Sequence, residues 1–263
     1  MKILALGDPH CGHRVGLTPP GFDAPDSHKH YYPFRRMVWD WFGSTIDKIG
    51  PVDLALWNGD LIDGEGSKSG GSEHLDTSPE EQVEMAVACC RRVEARDHLF
   101  TFGTAYHTGK SADYERQVAD RIGGPIADTQ HFQCNGVNFN ARHHVGNSQV
   151  PYGRGTAQYR EAIWNALNAA AGLEPRAQVL LRSHAHYHVA VQDAQRLTMT
   201  LPCLQGPGSK FGRRCTGEVT MGMVLFEVAP DSRWSWQLYH LNLVHVAPQV
   251  LVFGDSATTE TSS

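Results

Sequence analysis

Histidine and aspartate are the residues of this chain whose types and spacing suggest chemistry. The chain has 15 histidines among 263 residues, and imidazole and carboxylate groups together bind divalent transition metals. Asp-x-His occurs twice and His-x-His three times, so spacing alone does not identify a site. Position does, because eight of these side chains come at the end of a predicted strand or soon after it: Asp8, His10, Asp60, His107, His143, His144, His184 and His186.

The strands that carry these side chains are predicted from short apolar or alternating runs at 2–7, 52–58, 98–102, 137–144 and 178–183. Loops at the carboxyl ends of such strands lie together on one edge of a sheet, so we expect the eight side chains to converge there. The other Asp-x-His pair, Asp26 and His28, and the nearby His30 follow no predicted strand. We interpret these three as surface groups or as a substrate lid.

Helices are predicted between these strands, and strands dominate the C-terminal third. The helices are expected at 34–49, from a capping box at Ser78 to about residue 96, at 111–122 and at 156–171. Segments 188–200 and 219–228 are expected to pair as antiparallel strands, and 234–241 is a further strand. Strand–helix repeats followed by strands predict an α/β sandwich, with a disordered polar tail at 255–263.

The number of candidate ligands indicates more than one metal ion. At least six candidates are too many for a single tetrahedral zinc ion. They suit two divalent ions about 3.5–4 Å apart that share one carboxylate. Such a pair makes hydroxide at neutral pH and holds a phosphoryl oxygen, so the set predicts metal-dependent phosphoryl chemistry.

The order of the motifs resembles that of the calcineurin-like metallophosphoesterases. The family reads Asp-x-His, Gly-Asp-x-x-Asp-Gly, Gly-Asn-His-Asp/Glu, His and Gly-His-x-His. This chain has GDPH at 7–10, GDLIDG at 59–64, GTAYH at 103–107, HH at 143–144 and SHAH at 183–186. Its Gly-Thr-x-x-His third motif is similar to a phage- or prophage-associated branch. The resemblance implies a β-sandwich flanked by helices, in four layers α/β/β/α, forming a single domain over 1–254.

The resemblance also implies a ligand set that is carried over residue by residue. The first metal would be held by Asp8, His10, Asp60 and His186. Asp60 would bridge to a second metal, which would also bind His184 and one of His143 or His144. Strand alternation places His143 on the face of the apolar residues, which favours it and leaves His144 as the alternative. Two divalent ions are expected, with Mn²⁺ preferred and Fe, Zn, Ni or Mg as alternatives.

The third motif departs from the family pattern. Thr104 occupies the position of the family's Asn, a ligand of the second metal, and we regard it as a candidate substrate contact. The imidazole comes later, at His107, which is interpreted as the proton donor, as a replacement ligand, or as neither. The stretch also ends in Gly-Lys-Ser like a P-loop. However, five residues rather than four separate Gly103 from Gly109, which disfavours a phosphate cradle.

Three charged residues near the motifs have two interpretations each. Arg142 and Arg154 lie near the fourth motif, where each is either a bidentate phosphate-binding group or a solvated surface arginine. Asp63 is the second Asp of GDLIDG. It is expected to accept hydrogen bonds in a turn or behind a ligand, in preference to binding metal itself.

Bulk composition disfavours several classes of function. The formal net charge of −5 is unlike the basic footprint of a protein that grips nucleic acid without a metal. No apolar run is long enough to span a membrane or to act as a signal peptide. Six cysteines without a Cys-x-x-Cys pair disfavour a cysteine zinc site and fit a reduced, cytoplasmic setting.

The sequence therefore predicts a dinuclear metal-dependent phosphoesterase in which a metal-bridging hydroxide attacks phosphorus and Asp60 is central to catalysis. Its substrate would be a small phosphate ester or a nucleotide, with diesters preferred. Two alternatives stay open. One is a metal-dependent nuclease acting on DNA or RNA, and the other is a degenerate relative that binds a partner without chemistry. The sequence does not predict the oligomeric state.

Overall fold

The computed structural model describes residues 1–22, 28–66, 70–109, 113–148, 150–209 and 219–243. The strands are β1 (Lys2–Leu6), β2 (Val52–Asn58), β3 (Ala95–Thr101), β4 (Ile126–Ala127), β5 (Thr129–Cys134), β6 (Val137–Arg142), β7 (Val179–Arg182), β8 (Val189–Gln192), β9 (Leu197–Thr200), β10 (Gly222–Val228) and β11 (Trp234–His240). The α-helices are α1 (Tyr32–Ile49), α2 (Pro79–Arg91), α3 (Ala105–Thr108), α4 (Tyr114–Ile122) and α5 (Arg154–Ala170).

The first sheet has six strands in the order β11-β10-β1-β2-β3-β4. Strands β1, β2 and β3 are parallel neighbours, and α1 and α2 make the crossovers between them. Parallel neighbours require such crossovers, because a tight hairpin joins only antiparallel strands. The carboxyl ends of these three strands therefore lie at one end of the sheet.

The second sheet has five strands in the order β5-β6-β7-β9-β8. Its central strands β6, β7 and β9 are parallel, and β5 and β8 pair antiparallel at the two edges. Helix α5 makes the crossover from β6 to β7. This sheet therefore supplies a second set of parallel carboxyl ends.

The two sheets pack face to face and helices cover their outer faces. Ala5, Leu56 and Phe139 belong to the core between the sheets, whereas Leu6 and Trp57 pack on the other side of the first sheet, toward the helices. Both faces of β1 are apolar and buried, as expected for a parallel strand covered on both sides. The predicted α/β sandwich with flanking helices is thus confirmed.

Helix α2 begins as the capping box predicts and ends earlier than predicted. The Ser78 hydroxyl accepts the backbone N–H of Glu81 at 3.3 Å, and Pro79 occupies the first turn. The helix was expected to continue to about residue 96. It stops at Arg91 because Ala95 already pairs with Val52 as the first residue of β3.

The predicted strands differ from the observed ones in their pairing, in their number and in the sheets to which they belong. Segments 188–200 and 219–228 do not pair with each other, because β8 and β9 form their own antiparallel pair in the second sheet. Strand β10, from the later segment, lies between β1 and β11 in the first sheet. In addition, β5 was not predicted, and β6 and β7 belong to a different sheet from β1, β2 and β3. The single sheet edge expected for the site is therefore one end of a two-sheet sandwich.

No helix among the described residues is long and apolar enough to cross a membrane. The tail predicted at 255–263 lies outside the described residues.

Candidate metal centre

Seven of the predicted side chains converge at the end of the sandwich where the parallel strands finish. They form three overlapping groups whose potential ligand atoms lie within 4.8 Å of one another in each group. The first group is Asp8, His10 and His186, the second is His10, Asp60 and His107, and the third is Asp60, His143 and His184. Because His10 and Asp60 each belong to two groups, the donors form one continuous site.

The first group surrounds the carboxylate of Asp8. His186 Nε2 lies 3.3 Å from Asp8 Oδ1, and His10 Nε2 lies 3.9 Å from the same oxygen. The two imidazole Nε2 atoms are 3.2 Å apart. Two imidazole nitrogens at this distance need a shared proton or a cation near both, so this arrangement favours cation binding.

Asp60 lies between the other two groups. Its Oδ2 is 3.1 Å from His143 Nε2, 3.9 Å from His10 Nε2 and 4.0 Å from His107 Nε2. The ring of His184 is 5.4 Å from that of His143, centroid to centroid. The Asp60 carboxylate therefore belongs to both the second and the third donor group.

The backbone at the site is held in conformations that side chains rarely adopt. Eight non-glycine residues in the described part of the chain have positive φ, and five of them are candidate ligands. They are Asp8, His10, Asp60, His184 and His186, with φ between 44° and 70°. Such conformations cost about 1–3 kcal/mol each and concentrate at functional sites, where the surrounding structure enforces them.

Three of the imidazoles are oriented by acceptors at Nδ1. His143 Nδ1 lies 2.8 Å from the Asn58 carbonyl oxygen, His107 Nδ1 lies 2.7 Å from the Asp63 carbonyl oxygen, and His10 Nδ1 lies 3.0 Å from Asp63 Oδ1. Carbonyl and carboxylate oxygens accept hydrogen bonds, so each Nδ1 donates its hydrogen. Each Nε2 is therefore left to face the carboxylates, which is the usual arrangement behind a metal-binding histidine.

The residues present fit divalent cations. Nε2 of His143 is buried and faces Asp60 Oδ2 at 3.1 Å. In the described part of the chain, the ion pairs of Asp8 and Asp60 are all with imidazoles. Two buried carboxylates that face several imidazole nitrogens, with no lysine or arginine paired to them there, form a donor set suited to transition metals.

Electrostatics at the site also favour added positive charge. Burial by itself raises the pKa of Asp60, but the imidazoles of His143 and His107 lower it well below its usual range. Burial by itself lowers the pKa of His143, yet Asp60 raises it to about 10. Burial and His143 lower the pKa of His184 to about 4. Without metal, a proton on His143 therefore balances part of the carboxylate charge.

Asp63 organises the histidines from behind, as the sequence predicted for an acceptor. Its carboxylate lies between His10 and His74, with Oδ2 2.9 Å from His74 Nε2. The imidazoles of His10 and His74 lower the pKa of Asp63 well below its usual range, against the effect of burial. Gln82 then fixes the Asp63 loop by accepting the backbone N–H groups of Asp63 and Gly64.

Glu115 and Thr104 hold the loop that carries the altered third motif. The buried carboxylate of Glu115 accepts the backbone N–H of Leu61 at 2.8 Å and that of Gly103 at 2.6 Å. Thr104 donates its backbone N–H to Asp60 Oδ1 at 2.7 Å, and its hydroxyl lies 3.2 Å from the same atom. The backbone amides of Gly103 and Thr104 thus both donate to carboxylates and are not directed at a phosphate-binding cradle. Lys110 and Ser111 lie outside the described residues.

The remaining predicted residues lie outside the three donor groups. His144 is exposed and its ring is 4.9 Å from that of His184. Arg142 donates from Nη2 to Glu161 at 2.6 Å, and the guanidinium of Arg154 lies 4.8 Å from the centroid of the Tyr187 ring. Residues 28 and 30 are not in the groups, and residue 26 lies outside the described residues.

Several residues that build the site were not singled out from the sequence. Asn58 donates to Ser183 Oγ at 2.7 Å and to the carbonyl oxygen of Arg142, and so ties β2 to both ligand-bearing strands of the second sheet. Its position directly before Gly59-Asp60 was a usable signal. Glu115, Gln82 and His74 come from distant segments and gave no local signal.

Comparison with known proteins gives distant structural matches only. No protein-family model and no curated protein matches the chain. Among solved structures, Vps29 from Entamoeba histolytica complexed with Zn²⁺ is 13% identical, with 92% of this chain and 100% of that chain covered and a TM-score of 0.45. A novel archaeal phosphodiesterase is 12% identical, with 91% of this chain and 100% of that chain covered and a TM-score of 0.44. A predicted phosphoesterase from Streptococcus pneumoniae is 13% identical, with 91% of this chain and 97% of that chain covered and a TM-score of 0.36.

Proposed function

We propose that this chain is a calcineurin-like metallophosphoesterase that uses two divalent ions to hydrolyse phosphate esters. The observation that carries the proposal is the sharing of Asp60 and His10 among three donor groups made of seven residues. Seven donors exceed what one tetrahedral ion takes, and a shared carboxylate is typical of paired ions. The motifs that resemble the family supply six of the seven positions, and the altered third motif supplies the seventh.

Each residue has a role that follows from its position. When bound, a pair of divalent ions lowers the pKa of water and neutralises charge on a phosphoryl group. Asp8, Asp60 and the imidazoles would hold the ions, and Asp63 and Asn58 keep Nδ1 of the histidines engaged so that Nε2 faces inward. We assign His107 to the position that Thr104 leaves open, because Thr104 instead fixes the Asp60 carboxylate.

Diesters are the proposed substrates because, among the described residues, the two arginines considered as phosphate-binding groups both have other contacts. A phosphate monoester carries more negative charge than a diester at neutral pH. The guanidinium of Arg142 is paired with Glu161, and that of Arg154 rests on Tyr187. A singly charged diester therefore matches the available charge better.

The test compares hydrolysis of bis(p-nitrophenyl) phosphate and p-nitrophenyl phosphate by metal-stripped protein re-loaded with Mn²⁺. Asp60→Asn is the matched variant, because it keeps the side-chain shape and removes the bridging charge. We expect diester turnover in the wild type, none in Asp60→Asn, and fewer bound ions in the variant by elemental analysis. Retained turnover in Asp60→Asn would contradict the mechanism.

The other outcomes separate the two alternatives. Bound metal with no turnover of either ester but cleavage of DNA or RNA would indicate a nuclease. Steep salt dependence of that cleavage would support this reading, because nucleic-acid binding releases counterions. Protein that binds no metal at all would indicate a non-catalytic binding module.

A further inference from the structure

Large exposed apolar side chains are concentrated in one segment of the chain, in and around α5. The described residues include eight of them, and seven lie between positions 150 and 173. We call these seven the α5 surface: Val150, Tyr152, Tyr159, Ile163, Trp164, Leu167 and Leu173. The eighth, Met37, lies on α1, on the other side of the sandwich.

The middle of the α5 surface is a continuous row. Tyr159, Ile163 and Leu167 follow one another at intervals of four, and Trp164 lies three residues before Leu167, so these side chains are neighbours on one helix face. Each of the four is between 55% and 58% exposed. An apolar row of this kind is expected of a helix face that packs against another element.

The opposite face of α5 already packs on the protein, so the exposed row is not needed for folding. Glu161 on the inner face accepts hydrogen bonds from Arg142 and from Arg182, the latter at 2.9 Å. Asn165 accepts the backbone N–H of Ala177 at 2.9 Å. These contacts fix the rotation of the helix about its axis, and the apolar row consequently points away from the second sheet.

The area of the row matches the apolar part of one half of a protein interface. Large apolar and aromatic side chains present on the order of 200 Å² each. At the observed exposures of 55% to 58%, the four residues of the row together expose roughly 450 Å². Each partner in a standard interface contributes about 800 Å², of which somewhat more than half is apolar.

The charge of the surface suits contact with an identical surface. The chain carries a formal net charge of −5, but no exposed residue of α5 is acidic. Arg160 is an exposed charge on the helix, and its guanidinium lies beside Gly146 of the same chain. A two-fold contact brings the same patch of both copies together, so an acidic face would repel itself, whereas this helix face carries no exposed carboxylate.

We propose that a second copy of this chain covers the α5 surface and that the protein is a two-fold dimer through α5. The aromatic residues Tyr159 and Trp164 are of the types enriched at the centres of such contacts. The inference is independent of the proposed catalytic function, because no residue of the α5 surface is a candidate ligand.

The test is sedimentation velocity of the full chain over a wide range of concentrations. We expect a dimer in the wild type and a monomer in Ile163→Glu, with the dissociation constant of the dimer raised at least about a hundredfold because two carboxylates would be buried at the contact. Trp164→Glu should act in the same way. Met37→Glu is the matched control, since it places the same charge on an exposed apolar residue of α1, and it should stay dimeric.

Two results would overturn the proposal. One is a wild type that stays monomeric at every concentration. The other is a dimer that survives both Ile163→Glu and Trp164→Glu. Circular dichroism of each variant should show that the fold is kept, because an exposed position tolerates the substitution.

Discussion

Two adjacent histidines at the end of β6 differ in what they can bind. His143 continues the buried face of Val137, Phe139 and Ala141, and its Nε2 lies 3.1 Å from Asp60, whereas His144 faces outward. Alternation of side chains along a strand explains the difference. Sequence reasoning reached this preference from the same alternation but could not exclude His144, because a strand end often twists or loosens.

We predict that His143→Ala lowers the number of Mn²⁺ ions bound per chain and that His144→Ala does not. The buried Nε2 of His143 faces Asp60 Oδ2 at 3.1 Å, so its removal takes away a donor directed at the site. Elemental analysis of the two variants after identical re-loading with Mn²⁺ measures the difference. Equal loss in both would contradict the assignment.

His107 allows the altered third motif to be tested directly. If it replaces the missing Asn ligand, His107→Ala should lose metal affinity, and His107→Asn should retain more because it restores an oxygen donor near the same place. Calorimetric titration of Mn²⁺ into the metal-stripped wild type and variants ranks their metal affinities. Unchanged affinity in His107→Ala, together with slower turnover of esters that have poor leaving groups, would instead identify a proton donor.

At the scale of elements, the loops of the site depend on glycines that allow close approach. A Cβ at Gly103 would collide with Oδ1 and the backbone N of Asp60, and a Cβ at Gly59 would lie 2.5 Å from Nδ1 of His143. The third-motif loop can therefore contact the Asp60 loop only because residue 103 has no side chain.

We predict that Gly103→Ala greatly reduces diester turnover, while Gly155→Ala leaves it unchanged. Gly155 lies in α5, where a Cβ would make an ordinary contact with Val191, and alanine there should stabilise the helix by about 0.5–1 kcal/mol. Turnover and thermal denaturation of the two variants are measured side by side. A Gly103→Ala protein with full activity would mean that the Asp60 loop moves aside without consequence.

The elements that the sequence predicted best are those whose signals are local. The 52–58 strand was predicted with its observed bounds, and the start of α2 follows from Ser78 and Pro79. Strand β5 was missed because only Cys134 in it is fully buried, so its apolar signal is weak. The pairing of β10 with β1 depends on contacts between distant segments that no local pattern encodes. Strands β8 and β9 form a local hairpin across residues 193–196, whose turn the single predicted segment 188–200 did not resolve.

The convergence of the candidate ligands was predictable for the same reason, and the residues that support them were not. Each candidate follows a strand, so position along the chain was enough to expect the group to lie together. Glu115 reaches the site from α4, and His74 reaches it from a loop 64 positions after His10. These residues act through hydrogen bonds that only the folded chain creates, and acidic or imidazole side chains at such positions are indistinguishable in sequence from surface groups.

At the scale of the whole molecule, the candidate ligands come from both sheets. Asp8, His10 and Asp60 follow strands of the first sheet, whereas His143 and His184 follow strands of the second. Asn58 adds a direct hydrogen bond from β2 to Ser183 at the same end. Bound ions would therefore join the two layers of the sandwich at the end where the parallel strands finish.

At the opposite end of the sandwich, the described residues join the two sheets by hydrogen bonds that involve no candidate ligand. There the N-terminal amine of Met1 donates to the carbonyl oxygen of Val228 at 2.7 Å, and Asn135 Nδ2 donates to the same oxygen at 2.9 Å. Removal of metal should consequently weaken one end of the molecule and leave the other as an internal reference.

We predict that chelation lowers the melting temperature and increases hydrogen exchange selectively in 8–12 and 183–188, with little change near Val228. A ligand that binds only the folded state stabilises it by about 2.7 kcal/mol at one hundred times its dissociation constant, so the shift in melting temperature should be readily measured. Asp60→Asn is the matched control and should respond much less. Uniform deprotection of both ends would mean that the ions stabilise the whole fold equally. No change in either measurement would mean that the donors, although close together, do not hold the two sheets through a metal.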